Sequence, residues 1–181
     1  MKRNAFILSG LLMMMAALFA LESCKKTEIV ESTTSDVNIV GYLDKRTDSF
    51  SLFRQILDRT ETSAFLNAYG AYTCFAPTNS AVTKYLAKIG ATSVAAADLA
   101  VLKDMVRLHL LEDTVYTGSF TDGKLPVITM YGQFLVTSVA NKSGVSSYVV
   151  NRQATVLESN IRVGNGIIHI IDEVLLPAAK T

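Results

Sequence analysis

Apolar residues recur along this chain in two different periods, and the period changes near residue 116. Between residues 38 and 111 they return every three to four positions, which is the spacing of amphipathic helices. From residue 116 to residue 176 they form short runs separated by turn residues, which is typical of strands. One apolar and aromatic run, Tyr72 to Phe75, predicts a further strand inside the helical half. The pattern predicts an α+β domain with an N-terminal group of helices.

The best-defined segment covers residues 72–90. Its first residues predict a buried strand, and Pro77 ends that strand because proline has no N–H to donate to a ladder. Thr78 follows, with a hydroxyl that can cap a helix, and Gly90 supplies the stop signal at the other end. One face of the helix between them carries Val82, Tyr85, Leu86 and Ile89. The segment therefore predicts a strand, a corner and a capped helix in succession.

Three short helices are predicted before this strand. Asn38 can cap the first, and Thr62 opens the third. Either Thr47 or Asp48 can cap the second. The inner face of this second helix consists of Leu52, Phe53, Ile56 and Leu57.

A longer helix is predicted from Asp98 to Leu111, and it contains one of the two histidines. His109 lies on the same face as Leu102 and Val106, so we expect its side chain to be buried. A buried histidine can be a ligand or a base, but more often it is a core residue whose ring nitrogens bond to neighbouring groups. We interpret His109 as a residue that holds the fold.

The C-terminal half predicts a series of strands that ends in a hairpin. Gly164-Asn165-Gly166 is a tight turn, since glycine and asparagine tolerate the positive φ that such turns need. The run from Ile167 to Ile171 is apolar on both faces and predicts a central strand. Earlier strands are predicted at 125–129, 134–139, 148–150 and 154–163.

The first 23 residues have the features of a bacterial lipoprotein signal peptide. Two basic residues precede a long apolar run, and the following segment Leu21-Glu22-Ser23-Cys24 resembles a lipobox. In this interpretation residues 1–23 are removed and Cys24 carries the lipid, which gives stable anchoring when more than one chain is attached. An uncleaved membrane anchor is the alternative, although the run is shorter than the ~20 residues of a spanning helix.

The rest of the chain divides into three parts. Residues 24–37 are polar and rich in Ser and Thr, which predicts a flexible tether. Residues 38–177 contain all the predicted helices and strands and form the domain. Residues 178–181 are a short C-terminal tail.

Composition limits the number of domains and the kinds of partner. The chain has 181 residues, of which 50% are hydrophobic and 18% charged, so it can bury one core and is too apolar for general disorder. Residues 1–23 hold two of the 17 basic and one of the 16 acidic residues, so the remainder is neutral. Nucleic acid is not expected as a partner, because the sequence has no cluster of Lys and Arg to contact phosphates.

The sequence carries no motif for catalysis or cofactor binding. Its two histidines are isolated, and neither His-x-x-x-His nor Cys-x-x-Cys spacing offers a metal site. Adjacent carboxylates such as Asp172-Glu173 point away from each other on a strand, unlike a paired acid and base. If Cys24 carries lipid, Cys74 has no disulfide partner and is best interpreted as a small buried hydrophobe. We therefore expect no enzyme activity, no cofactor and no metal.

Two segments resemble the signatures of the fasciclin domain family. The run Phe75-Ala76-Pro77-Thr78-Asn79 is similar to the first signature, and the run Asn165-Gly166, His169 and Asp172, with apolar residues between them, is similar to the second. Between the two, His109 matches the histidine of the family's Tyr-His motif, with Leu108 in place of the tyrosine. The resemblance covers residues 38–177. It implies a wedge of two small β-sheets packed with an N-terminal group of helices.

The same resemblance implies an adhesion or binding module that recognises an extracellular protein or carbohydrate. In animal fasciclin domains, receptor binding is attributed to the Tyr-His region and to an Asp-Ile motif before the second signature. Here these positions are Leu108-His109 and Asn160-Ile161, so the animal receptor role is not expected. The lipid anchor places the module in the cell envelope, at the outer membrane, facing the periplasm or the cell surface.

Two other functions remain open. The protein can be an accessory lipoprotein of an outer-membrane glycan-uptake system, or a structural protein of the envelope. Exposed aromatic rings would favour glycan uptake, because sugars stack on ring faces. The candidate rings are Tyr42, Tyr116, Tyr131 and Tyr148.

Overall fold

The computed structural model describes residues 37–68, 70–142 and 145–177. Five α-helices lie in these ranges: α1 Ile39–Lys45, α2 Thr47–Arg59, α3 Thr62–Leu66, α4 Asn79–Lys88 and α5 Leu99–Leu108. The strands are β1 Tyr72–Pro77, β2 Leu110–Leu111, β3 Gly123–Ile128, β4 Phe134–Lys142, β5 Val145–Val150, β6 Ala154–Val163 and β7 Gly166–Ile171. A short 3₁₀ turn, Thr117–Ser119, lies between β2 and β3.

The seven strands form one connected sheet in the order β2-β1-β7-β6-β5-β4-β3. Only β1 and β7 pair in parallel, and the other neighbours are antiparallel. The long strand β6 joins the two halves, because Ala154 and Thr155 pair with β5 whereas Val156 to Val163 pair with β7. The predicted arrangement of two small sheets is therefore not confirmed, since β6 belongs to both halves.

The two edges of this sheet approach each other. Leu111 of β2 forms an isolated antiparallel bridge with Thr129, the residue that follows β3. Next to it, the Met130 N–H donates to the Leu110 carbonyl at 2.9 Å. The sheet is thus barrel-like, with its first and last strands in contact at one point.

Two hydrophobic cores lie on opposite faces of β1 and β7. On the helix side, Cys74 and Ala76 of β1 pack with Ile168 and Ile170 of β7 and with the inner faces of the helices. On the strand side, Phe75 belongs to a second core that includes residues of β2 to β6. Both strands are buried on both faces, as the continuous apolar runs predicted.

The predicted helix starts are partly confirmed. Asn38 caps α1, because its Oδ1 accepts from the Gly41 N–H at 2.8 Å. Neither Thr47 nor Asp48 caps α2, which is a correction. This helix begins directly after Arg46, and Arg46 makes no side-chain cap bond. The reason is that α1 ends at Lys45, so no extended residue with a capping side chain precedes α2.

The last predicted helix is shorter than its apolar pattern indicated. Asp98 caps it through bonds to the Ala100 and Val101 N–H groups, but the helix ends at Leu108. Leu110 and Leu111 form β2 instead, because they pair with Cys74 and Thr73 of β1. Tertiary pairing therefore overrides the helical pattern at this end.

The predicted signal peptide, Cys24 and the tether up to residue 36 lie outside the described residues, as do residues 178–181. Among the helices that the structure describes, none has the length and apolar character needed to cross a bilayer.

Candidate functional site

The corner between β1 and α4 contains the first signature. Phe75, Ala76 and Pro77 are buried, and Phe75 has no exposed surface. Thr78 has extended backbone angles, and its Oγ1 accepts from the Ala81 N–H at 3.3 Å. A threonine cap of this kind contributes about 1 kcal/mol to stability. The corner thus fixes the direction in which α4 leaves the sheet.

Asn79 connects this corner to α2. Its Oδ1 accepts from the Leu52 N–H at 2.9 Å, and its Nδ2 donates to the Asp48 carbonyl at 3.0 Å. Asp48 and Leu52 are four residues apart, so these are the two groups that an α-helix joins to each other. The amide of Asn79 therefore bridges a turn of α2 and ties α4 to it.

His109 lies at the C-terminal end of α5 and is completely buried. Its Nδ1 is 2.7 Å from the Met105 carbonyl, which can only accept, so Nδ1 carries the proton. Its Nε2 accepts from the Leu175 N–H at 3.0 Å. Both ring nitrogens are used, and the ring holds the segment after β7 against α5.

His169 is buried within β7 and has the same kind of environment. Its Nε2 donates to the Val115 carbonyl at 2.9 Å, and its Nδ1 accepts from the Asn160 N–H at 3.4 Å. Its ring stacks on Phe75, with the ring centroids 5.2 Å apart. The two signatures therefore meet here, at the paired positions of β1 and β7.

Asn160 lies at an irregular point of β6, with φ of 59°. Its Oδ1 accepts from the Thr117 N–H at 2.9 Å, and its Nδ2 donates to the Thr117 Oγ1 at 2.7 Å. The left-handed conformation suits asparagine better than most residues. Asn160 thus holds the 3₁₀ turn against β6, and the neighbouring Ile161 is half-buried against the helix-side core.

Asn165 lies in the turn between β6 and β7, and Gly166 is the first residue of β7. The Asn165 Oδ1 accepts from the Ile39 N–H at 2.9 Å, and its Nδ2 donates to the Leu66 carbonyl. This one side chain therefore fastens α1 and α3 to the sheet. Gly166 pairs with Tyr72 of β1, and a Cβ added at Gly166 would lie 1.9 Å from the Tyr72 carbonyl oxygen. Only glycine allows the two strands to approach this closely.

Asp172 follows β7 at the opposite end of the hairpin. Its Oδ1 accepts from the Thr155 N–H at 2.7 Å, and its own N–H donates to the Thr155 carbonyl at 3.2 Å. The contact keeps the start of β6 beside the end of β7, so this carboxylate also serves the fold.

These contacts leave the signature residues poorly suited to catalysis. Burial lowers the pKa of His109 to about 4 and also lowers the pKa of His169, so both rings are neutral at pH 7. Burial raises the pKa of the Cys74 thiol to about 12, which removes it as a nucleophile. Within residues 37–68, 70–142 and 145–177, no three His, Cys, Asp or Glu side chains are grouped closely enough to hold a metal ion.

A cavity of about 280 Å³ opens between the α2–α3 junction and α5. Lys103 and Arg107, one turn apart on α5, line one part of it, and Glu61 lines another. Apolar surface comes from Phe65 and Met130, among other residues. Pockets that combine apolar walls with a few polar groups are typical ligand sites. This cavity is therefore a candidate binding site.

The four tyrosines named as sugar platforms are mostly engaged elsewhere. Tyr116 is 39% exposed, but the guanidinium of Arg162 lies 5.7 Å from its ring centroid. Tyr42 is half-buried beside Arg46, and Tyr148 packs edge-on against Phe120 of the strand-side core. Tyr131 is half-buried against the same core. Phe65, at the cavity, is 38% exposed.

The family model of the fasciclin domain matches residues 48–177. The chain belongs to the fasciclin domain family. The match covers most of the chain and includes both signatures, so the resemblance seen in the two motifs is confirmed.

Relatives of this fasciclin domain come from bacteria and animals. Protein sll1483 of Synechocystis is 28% identical over 165 residues, which are 89% of this chain and 86% of that protein. Human stabilin-1 is 27% identical over 139 residues, and ig-h3, the pig transforming growth factor-beta-induced protein, is 24% identical over 155 residues. These matches cover 76% and 85% of this chain, but only 5% of stabilin-1 and 21% of ig-h3.

A solved structure shares the fold. It is a pair of fasciclin-type domains from the insect cell adhesion molecule fasciclin I. The TM-score is 0.52 at 21% sequence identity, over 68% of this chain and 45% of that chain. Fasciclin domains are thus found in a cell adhesion protein.

Sequence reasoning did not find the charged residues of the cavity. Lys103 and Arg107 do have the four-residue spacing that places two side chains on one helix face. No sequence pattern indicates that Glu61 lies near that face of α5. The α2–α3 junction and α5 come together only in the tertiary fold. The hydrogen bonds from Asn79 of α4 to the backbone of α2 are likewise not predictable from the sequence, because they also depend on tertiary packing.

Proposed function

We propose that this fasciclin domain is a membrane-anchored extracytoplasmic module that binds a large protein or carbohydrate partner through its surface. The observation that carries the proposal is the use of the signature residues. The side chains of Asn79, His109 and Asn165 all form hydrogen bonds inside the domain. Recognition is therefore left to surface residues on a rigid scaffold, where binding groups are commonly found.

The positions that correspond to the animal receptor-binding motifs support a different binding surface. Leu108 is buried in the strand-side core, and Asn160 is bonded to Thr117. The Leu108 side chain is therefore inaccessible to a partner, and the exposed Asn160 already uses both ends of its side-chain amide within the domain. We propose that the partner of this domain is bound elsewhere, and that the domain has no enzymatic activity of its own.

Adhesion of densely displayed protein tests this function. Beads carrying many copies are expected to adhere to surfaces coated with arrayed glycans or matrix proteins, whereas the soluble monomer binds them weakly. The physical reason is that many weak contacts on one surface raise avidity by about 10²–10⁴ without any new contact. The measurement is bead retention under flow, with beads carrying the same density of heat-unfolded protein as the control. Tight one-to-one binding of a small metabolite, without any bead adhesion, would contradict the proposal.

The second part of the proposal is the anchor at Cys24. We propose that it is the acylated N-terminal residue of the mature protein, held at the outer membrane and facing the periplasm or the cell surface. The support is the basic start, the apolar run and the Leu21-to-Cys24 spacing.

Replacement of Cys24 by Ala is expected to abolish lipid attachment and to leave an uncleaved precursor. The lipid is carried on this sulfur, so no other residue can substitute for it. Incorporation of labelled palmitate and the electrophoretic mobility of the protein measure the two effects. Cys74→Ala is the matched control. Because Cys74 is buried in the domain, this variant is expected to leave palmitate labelling unchanged. Normal processing of the Cys24 variant would show that the lipobox interpretation is wrong.

A further inference from the structure

The cavity between α3 and α5 is surrounded by charges that lack partners. Glu61, Lys103 and Arg107 all line it. Among the described residues, the side chains of these three form no ion pair and no hydrogen bond, either with each other or with other groups. Some charged groups elsewhere in the domain are paired, such as Arg54 with Asp58. Unpaired charges grouped at a cavity are available to a ligand.

The two cations favour an anionic group on that ligand. Lys103 and Arg107 are separated by one helical turn, so both side chains can approach a single carboxylate. Arginine binds a carboxylate through two parallel N–H donors, and lysine adds a point charge. Lys103 is half-buried, which limits screening by solvent at that side of the cavity.

The remaining surface favours a sugar ring. Phe65 is 38% exposed, and its ring contacts that of Tyr72, with the ring centroids 5.1 Å apart. The carboxylate of Glu61 and the hydroxyl of Thr62 can bond to ligand hydroxyl groups. The volume of about 280 Å³ is just below the roughly 300–1,000 Å³ of pockets for drug-sized ligands. The cavity therefore has room for one sugar ring.

We infer that this cavity binds a carboxylated sugar, such as a hexuronate unit of an acidic glycan. The inference rests on the proposed function, because it names the partner that the surface module holds. Arg107 and Lys103 bind the carboxylate, Phe65 packs against the ring, and Glu61 accepts hydrogen bonds from ring hydroxyls. Each site binds one sugar unit weakly. Many copies on one membrane bind the same polymer at once, which raises the avidity.

The test is a titration of glucuronate into the full chain in detergent. Binding is measured by saturation-transfer difference NMR. Glucose serves as a ring without the charge, and acetate as a carboxylate without the ring. Glucuronate is expected to bind at least about tenfold more tightly than either, because only it uses both halves of the site. Its affinity should fall as NaCl is raised, since charges at the surface are screened.

Matched variants locate the site. Arg107→Gln and Lys103→Gln are each expected to weaken glucuronate binding by about tenfold, the loss of one charge-assisted contact. Lys45→Gln is the control, because Lys45 is an exposed helical lysine outside the cavity, and it should change nothing. Phe65→Ala should weaken binding of the sugar and leave any binding of acetate unchanged.

Three results would overturn the inference. These are equal affinity for glucuronate and acetate, equal affinity for glucuronate and glucose, or full binding by the Arg107→Gln variant. Bead adhesion separates this inference from the proposed function. Beads that still adhere when they carry Lys103→Gln/Arg107→Gln show a binding module that uses another site. If the protein binds glucuronate but its beads adhere to no surface, the result supports the sugar site and contradicts the adhesive function.

Discussion

Replacement of Gly166 by Ala is expected to destabilise the domain by about 3–5 kcal/mol, through overpacking and backbone strain together. The new Cβ would lie 1.9 Å from the Tyr72 carbonyl oxygen, which is backbone and cannot rotate away. Gly166 also has φ of 148°, a conformation that residues with a side chain rarely adopt. The parallel pairing of β1 with β7 would have to open. Urea denaturation followed by circular dichroism measures the change.

Gly118 provides the matched control for this substitution. A Cβ added at Gly118 would meet no atom within 4 Å. Gly118→Ala should therefore change the free energy of unfolding by no more than about 0.5 kcal/mol. An unfolding midpoint for Gly166→Ala equal to that of the unsubstituted protein would show that β1 and β7 do not approach as described.

The second prediction concerns pH. Stability is expected to fall by about 3 kcal/mol between pH 6.5 and pH 4 because of His109 alone. Burial lowers the pKa of His109 from 6.5 to about 4, so the folded protein keeps this ring neutral where the unfolded chain takes up a proton. The stabilisation is complete above pH 6.5 and is lost as the pH falls towards 4. The free energy of unfolding at several pH values measures the slope.

His109→Gln tests which residue causes the slope. Glutamine retains an amide donor and acceptor but cannot titrate, so this variant should be less stable at pH 7 and less sensitive to acid. His169→Gln is the comparison, because the pKa of His169 is lowered in the same direction and the His109 contribution should persist in that variant. If His109→Gln kept the whole pH dependence, the buried neutral state of His109 would not be its cause.

Local sequence signals predicted those parts of the fold that depend on neighbouring residues. Asn38 and Thr78 were identified as caps because a cap needs only a short side chain and three following residues. The turn at Asn165 and Gly166 was predicted for a similar reason. By contrast, β2 consists of two leucines that follow a helix, and only their pairing with β1 makes them a strand. Nothing local distinguishes them from another helical turn.

The candidate site could not be predicted from the sequence, because it depends on tertiary packing and not on neighbouring residues. The signature residues were easy to identify, and their contacts lie inside the domain. The candidate cavity takes Glu61 and Phe65 from one segment and Lys103 and Arg107 from another. Each of these residues looks like an ordinary surface residue in its own segment. Only the packing of α5 beside the α2–α3 junction gives them a common cavity.

The way the sheet ends has a consequence for copies held at high local concentration, as in the membrane-anchored layer that we propose. Unpaired edge strands can join neighbouring molecules into fibres, particularly at high local concentration. Here β2 is two residues long, and its edge is already bridged to Thr129 after β3. The other edge strand, β3, contains Lys124 and Pro126 and shifts register between Lys124 and Ile128, features that oppose strand addition. A crowded layer of these domains can therefore remain a set of separate molecules, each with its binding surface free, instead of polymerising edge to edge.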